Sequence, residues 1–193
     1  MESVQELNPI IVSHTETKEH MGRFAFLKES IKNFRTVGTI TRSSRYLSKA
    51  VAKKAQLNNA KVIVELGAGD GVMTRHILDS MDEDAVLFSF EVNPKFCKVL
   101  KRINDPRLQV MNISAEKLAE VLLKFSYLKA DSVISALPFT VFPPELTQRI
   151  IRQAHSVLPE GRPFVQIHYS LKTKKVYQEI FGNVKIQFEP RNI

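Results

Sequence analysis

The sequence predicts an α/β fold, a mostly parallel sheet with helices on both faces, preceded by N-terminal helices. Three observations predict it. Beyond residue 58 short apolar runs alternate with helix-length stretches, the pattern of strands joined by helical crossovers. The first of these runs ends in a loop with glycine at 67, 69 and 71 that opens a helix. The 193 residues, 44% hydrophobic and 25% charged, suit one globular domain spanning 1–193.

Residues 1–17 are expected to form a flexible lead-in. Phe24, Leu27, Ile31 and Phe34 then recur at helical spacing, with Arg23, Lys28, Lys32 and Arg35 at polar positions, so 21–34 reads as a basic amphipathic helix. A break follows at Val37-Gly38-Thr39, and Ser43-Ser44 can cap a second helix over about 45–56. Residues 18–57 thus make a basic N-terminal region, and 58–193 the core. In the core, strands are expected at 61–65, 85–91, 108–112, 131–135, 163–170 and 184–188, with helices at 72–80, 94–103, 115–125, 144–157 and 173–181. Ligands bind such sheets beyond the carboxyl ends of the strands, which directs attention to the turns after Glu65, Glu91, Asn112 and Ser135.

Composition narrows the classes. One cysteine excludes a disulfide scaffold, and Cys97 has neither a second cysteine nor metal-ligand spacing beside it, so no metal site is expected. No run reaches the roughly 18 apolar residues of a membrane span, and the first residues are acidic, unlike a secretory leader, so a cytoplasmic, monomeric protein is expected. Lys plus Arg (28) exceed Asp plus Glu (20) by 8, and residues 18–61, with eleven bases and two acids, hold the excess. Such a patch meets nucleic acid or an anionic membrane surface.

The run Val62-Ile-Val-Glu65-Leu-Gly67-Ala68-Gly69-Asp-Gly71 is the most informative. Its glycines allow a tight turn and close approach of backbone to a ligand. Position 72 is valine where the dinucleotide fingerprint wants a third glycine, which weakens a nicotinamide reading. Glu91 ends the next apolar run, where a carboxylate can accept from both hydroxyls of a ribose.

On these residues the chain resembles the class I S-adenosylmethionine-dependent methyltransferases, which implies their Rossmann-like, seven-stranded sheet. The resemblance places Glu65, Gly67, Ala68, Gly69 and Gly71 around the methionine part of the cofactor and Glu91 on the ribose. Val92 and Asn93 would flank the adenine, with Ser114, Ala115 and Glu116 where such enzymes have an Asp-Ala pair. The Ser135-Ala136-Leu137-Pro138-Phe139 stretch resembles the N-L-P-Y/F loops of enzymes that methylate amino groups, ribosomal RNA adenine dimethyltransferases among them. Ser135, Ala136 and Leu137 would then edge the cofactor, and Pro138 and Phe139 would wall the acceptor.

From Phe26 to the C-terminus the chain resembles more closely the small bacterial phospholipid N-methyltransferases. Phe26-Leu-Lys-Glu29, Val37-Gly38-Thr39-Ile40, Ser43-Ser44, the glycine motif, the Ser-Ala-Leu-Pro loop and Arg191-Asn-Ile193 carry it. That resemblance implies that Val37, Gly38, Ser43 and Ser44 close over the cofactor, and that the activity is stepwise methylation of phosphatidylethanolamine toward phosphatidylcholine. An enzyme without a span would reach headgroups from the water side, peripherally on the inner membrane, with Phe24, Leu27, Ile31 and Phe34 of the basic helix turned into the interface. Tyr46, His168 and Tyr169 are candidates to take the acceptor's proton, and Arg191 to hold a phosphate. RNA or a small amine remains the alternative acceptor, and a non-catalytic membrane- or RNA-binding module the alternative class.

Overall fold

The computed structural model describes residues 45–167 and 170–187. Five strands, β1 (Val62–Leu66), β2 (Val86–Phe90), β3 (Leu108–Met111), β4 (Ser132–Ser135) and β5 (Phe164–Gln166), form one sheet in the order β3-β2-β1-β4-β5. Every pairing is parallel. The helices are α1 (Arg45–Lys54), α2 (Val72–Leu78), α3 (Pro94–Leu100), α4 (Leu118–Lys124), α5 (Pro144–Val157) and α6 (Lys174–Phe181).

β1 is buried at all five positions because it sits between β2 and β4 with helices on both faces, the reason its sequence runs apolar without alternation. Its side chains still divide by face. Val62, Val64 and Leu66 join the core that includes α4, α5 and α6 residues, whereas Ile63 joins the core of α1 and α2 residues. The period of two therefore turns Glu65 to the α2 side as well.

Successive strands step from β1 outward to β2 and β3, then return to the other side of β1 for β4 and β5. The reversal opens a crevice between the carboxyl ends of β1 and β4. At the opposite end polar groups lock the strands: Asp131 Oδ2 accepts from the Lys61 and Val62 amides at 2.8 and 3.0 Å, and Arg162 pairs with its other oxygen at 2.9 Å.

Two expectations are corrected. The sheet has five strands among the described residues rather than seven: residues 183–187 are irregular, although Val184 and Ile186 alternate with Lys185 and Gln187. Val184 packs on the core, but Ile186 is 52% exposed, so the alternation reflects no sheet face. The expected helix over 115–125 is a 3-10 turn, Ala115–Lys117, followed by α4.

Candidate active site

The β1–α2 loop shows why glycine is needed at two positions. Gly67 has φ +81°, and a Cβ there would stand 2.8 Å from Leu137 Cδ2 in the β4 loop. Gly71 has φ +84°, and its Cβ would stand 2.9 Å from Leu100 Cδ2. Both values lie where L side chains are strained. The loop is tied to the neighbouring strand, with Gly67 N and Ala68 N donating to Phe90 O at 2.9 and 3.2 Å.

Two acids close the tips of β1 and β2. Glu65 is 1% exposed; its Oε2 accepts from Thr74 Oγ1 at 2.7 Å and Ser89 Oγ at 2.6 Å, while Oε1 is buried with no partner among the described residues. Burial raises its pKa to about 7; the two hydroxyls oppose the shift and the charge of Glu91 adds to it. Glu91, also buried, accepts from Gly69 N through Oε2 and from Asn93 N through Oε1, both at 2.8 Å. Its own carbonyl accepts from Asn112 Nδ2 at 2.9 Å and from the Cys97 thiol at 3.2 Å. Cys97 is buried, and burial raises its pKa, as befits a packing residue.

Beside Glu91 lies a narrow cleft walled by Gly67, Phe90, Glu91, Val92, Ile113, Ala115, Leu137, Phe142 and Ile150. An apolar slot with one acid at its rim and glycine backbone along one side suits a flat, hydroxylated heteroaromatic ligand.

Of the residues expected from sequence, Gly67, Glu91, Val92, Ala115 and Leu137 meet in this cleft. Asn93 stands next to it and caps α3, its Oδ1 accepting from Lys95 N at 3.0 Å. Ser114 Oγ caps the following 3-10 turn through Glu116 N at 3.2 Å, and the Glu116 carboxylate pairs with Arg149 at 2.7 Å, so both side chains are engaged within the protein. Ser135 Oγ accepts from Leu137 N at 3.3 Å, and Ala136 N donates to Leu66 O at 2.9 Å, bracing the β4 loop against β1. Pro138 opens the next 3-10 turn. Phe139 is 2% exposed and packs edge-on to Phe142, its ring in the core; of that pair Phe142 reaches the cleft, where Phe90 also stands.

Arg23, Phe24, Leu27, Lys28, Ile31, Lys32, Phe34, Arg35, Val37, Gly38, Ser43, Ser44, His168, Tyr169 and Arg191 lie outside the described residues, as does the side chain of Tyr46 in α1. Sequence reasoning missed Thr74 and Ser89, although Ser89 interrupts an apolar strand and is the register partner of Glu65. It also missed Phe142, Ile113 and Ile150, which carry no chemical signature, and Gln166. Gln166 Nε2 donates to Leu137 O at 3.0 Å and Ile167 O at 2.8 Å. Among the described residues no group of three His, Cys, Asp or Glu is placed to hold a metal, and no helix is long and apolar enough to cross a membrane.

Comparison with known proteins agrees with this architecture. The family model described as ribosomal RNA adenine dimethylase matches residues 38–157. An ornithine lipid N-methyltransferase from Singulisphaera acidiphila is 31% identical over 173 residues, covering 88% of this chain and 90% of that protein. Among solved structures, the plantazolicin methyltransferase BpumL in complex with S-adenosylhomocysteine superposes with a TM-score of 0.58 at 15% identity, covering 85% of this chain and 65% of that one. An rRNA methylase from Streptococcus thermophilus gives 0.55 at 15% identity, covering 75% and 83%. At these identities the structural matches speak for the fold.

Proposed function

The chain belongs to the ribosomal RNA adenine dimethylase family of class I S-adenosylmethionine-dependent methyltransferases, and on that premise we propose that its acceptor is the amine of an amino lipid. The acceptor would be of the ornithine-lipid or phosphatidylethanolamine type, the latter carried toward phosphatidylcholine. The observation that carries this reading is the 31% identity to the ornithine lipid enzyme across nearly the full length of both chains.

The residues fit the cofactor. A Cβ at Gly67 would press on Leu137, so glycine there lets the β1 and β4 loops meet closely at the cleft wall. The unpartnered Glu65 Oε1 is an acceptor suited to an ammonium such as the methionine part carries. Glu91 would receive the ribose hydroxyls, and Val92, Asn93 and Ala115 would border the adenine. When bound, the cofactor supplies an electrophilic methyl group on a sulfonium. The protein's work is alignment and desolvation: the Ser135–Phe139 loop would hold the amine near β4, and the apolar wall would exclude water. Tyr46, His168 and Tyr169 are the proposed routes for the amine's proton, and Arg191 the proposed phosphate partner.

The whole chain would act as one domain, with the basic segment 21–34, if helical as its spacing predicts, docking on an anionic inner-membrane surface from the cytoplasm, where each nearby Lys or Arg contributes about 1 kcal/mol. The test is to incubate the protein with methyl-labelled cofactor, anionic vesicles holding either amino lipid, and ribosomal RNA. Label in the chloroform phase is expected; label confined to RNA would transfer the assignment to the family's other acceptor.

A further inference from the structure

Gln166 ends β5 and is the register partner of Ser135, so it stands beside the loop assigned to the acceptor. Its amide has one orientation. Two carbonyl oxygens, Leu137 O and Ile167 O, lie 3.0 and 2.8 Å from the same terminal atom, which must therefore be the NH2. The other terminal atom, Oε1, is then buried and has no partner among the described residues. A buried carbonyl oxygen without a donor costs about 1–3 kcal/mol, which points to a donor that arrives with a ligand.

The loop itself lacks a matching group. Against the N-L-P-Y/F pattern, Ala136-Leu137-Pro138-Phe139 has a methyl group where the pattern has a carboxamide. The structure supplies a carboxamide from the neighbouring strand, tied to the carbonyl of the next loop residue, Leu137.

We propose that Gln166 is an acceptor-binding residue whose Oε1 takes a hydrogen bond from an N–H of the substrate amine, the NH2 group fixing it to the loop. This deepens the amino-lipid reading above and rests on it. In each transfer the nitrogen lone pair forms the N–C bond and the S–C pair returns to sulfur; after the first and second a proton leaves the new ammonium for solvent, and the third gives a quaternary ammonium with no proton to lose. The neutral primary amine offers two N–H groups, the monomethyl amine one, and the dimethyl amine none. Gln166 therefore assists the first two methylations and has nothing to hold in the third.

The experiment measures initial rates on vesicles carrying one headgroup as its primary, monomethyl or dimethyl amine, for wild type, Gln166→Met and Gln166→Glu, with S-adenosylhomocysteine binding as the check on folding. Gln166→Met should slow the first two transfers about tenfold and leave the third unchanged, or absent in both proteins, while Gln166→Glu, whose protonated carboxyl keeps an acceptor oxygen and one O–H for the loop carbonyls, recovers part of the loss. Equal slowing at all three steps, or none, overturns the proposal while leaving the amino-lipid reading intact. If Gln166→Met fails to bind S-adenosylhomocysteine, Gln166→Glu decides: first-step rates near wild type support the role, and uniform slowing overturns it. A wild-type enzyme that labels none of the three lipids removes the parent reading and this one together.

Discussion

Replacing Glu65 by glutamine should flatten the pH dependence of folding stability. Glu65 is buried, and its pKa rises from an ordinary 4.5 to about 7 in the folded protein. An acid whose folded pKa lies above its unfolded one favours folding when protonated, so this contribution is complete below pH 4.5 and is lost as pH rises through 7. At 1.36 kcal/mol per pKa unit the loss is about 3 kcal/mol. In the Glu65→Gln variant the carboxamide oxygen can still accept from Thr74 and Ser89, and the NH2 takes the place of the unpartnered oxygen, at a cost that does not vary with pH. Urea unfolding of the ligand-free proteins at pH 4.5, 5.5, 6.5 and 8 isolates the difference, because every other titrating group is common to both. The gap between the curves should move by about 3 kcal/mol in favour of the variant from the lowest to the highest pH. Parallel curves would refute the inference that burial raises the Glu65 pKa in the folded protein.

Three further substitutions separate site from scaffold. Glu91→Ala removes the acceptor of the Gly69 and Asn93 amides and the proposed ribose ligand, and should weaken S-adenosylhomocysteine binding at least tenfold by calorimetry; an unchanged affinity would exclude Glu91 from the site. Gly67→Ala adds a Cβ at φ +81° and 2.8 Å from Leu137 Cδ2, so it should cost about 1–2 kcal/mol in thermal unfolding and push Leu137 into the cleft, weakening the same ligand; wild-type affinity would show the cleft is elsewhere. Arg107→Ala should cost about 1–3 kcal/mol and leave affinity untouched, because Arg107 pairs with Asp105 and donates to Leu78 O at the end of α2 and to Met81 O and Asp82 O just beyond it, away from the site; a loss of binding in the folded variant would contradict that separation.

The elements that sequence shows best are those whose pattern and packing coincide. The helix expected at 144–157 matches α5 at both ends, because its apolar residues make one buried stripe and prolines precede it. The expected 61–65 strand appears as β1 one residue further on, since buried parallel strands read as plain apolar runs without sharp ends. Glu65, Gly67, Gly71 and Glu91 stand out because each breaks the local rule for its position: an acid or a glycine in an apolar strand-to-helix unit. Phe142 and Gln166 break no such rule. An aromatic before a proline pair and a glutamine ending a short strand are ordinary in isolation; only the fold of the 139–142 turn brings Phe142 to the cleft, and only the register of β4 against β5 sets Gln166 beside the Ser135 loop.

The departures from local preference are also unevenly placed. The uncompensated Glu65 Oε1, the positive-φ glycines at 67, 69 and 71, and the unpartnered Gln166 Oε1 all gather at the carboxyl ends of β1 and β5 and the loops beside them. At the opposite end Asp131 satisfies two backbone amides and an arginine, while Arg107 satisfies three carbonyls. Ser132 Oγ, at the start of β4, is the exception: it is buried without a partner, and nothing around it explains why. Each orphaned group costs on the order of 1 kcal/mol or more, and a sequence selected for stability alone would pair or remove it. Their concentration at one end of the sheet, beside an otherwise apolar cleft, is what the two proposals above require: a cation for Glu65 and an N–H for Gln166 are the two donors that a sulfonium amino acid and an amine acceptor would bring.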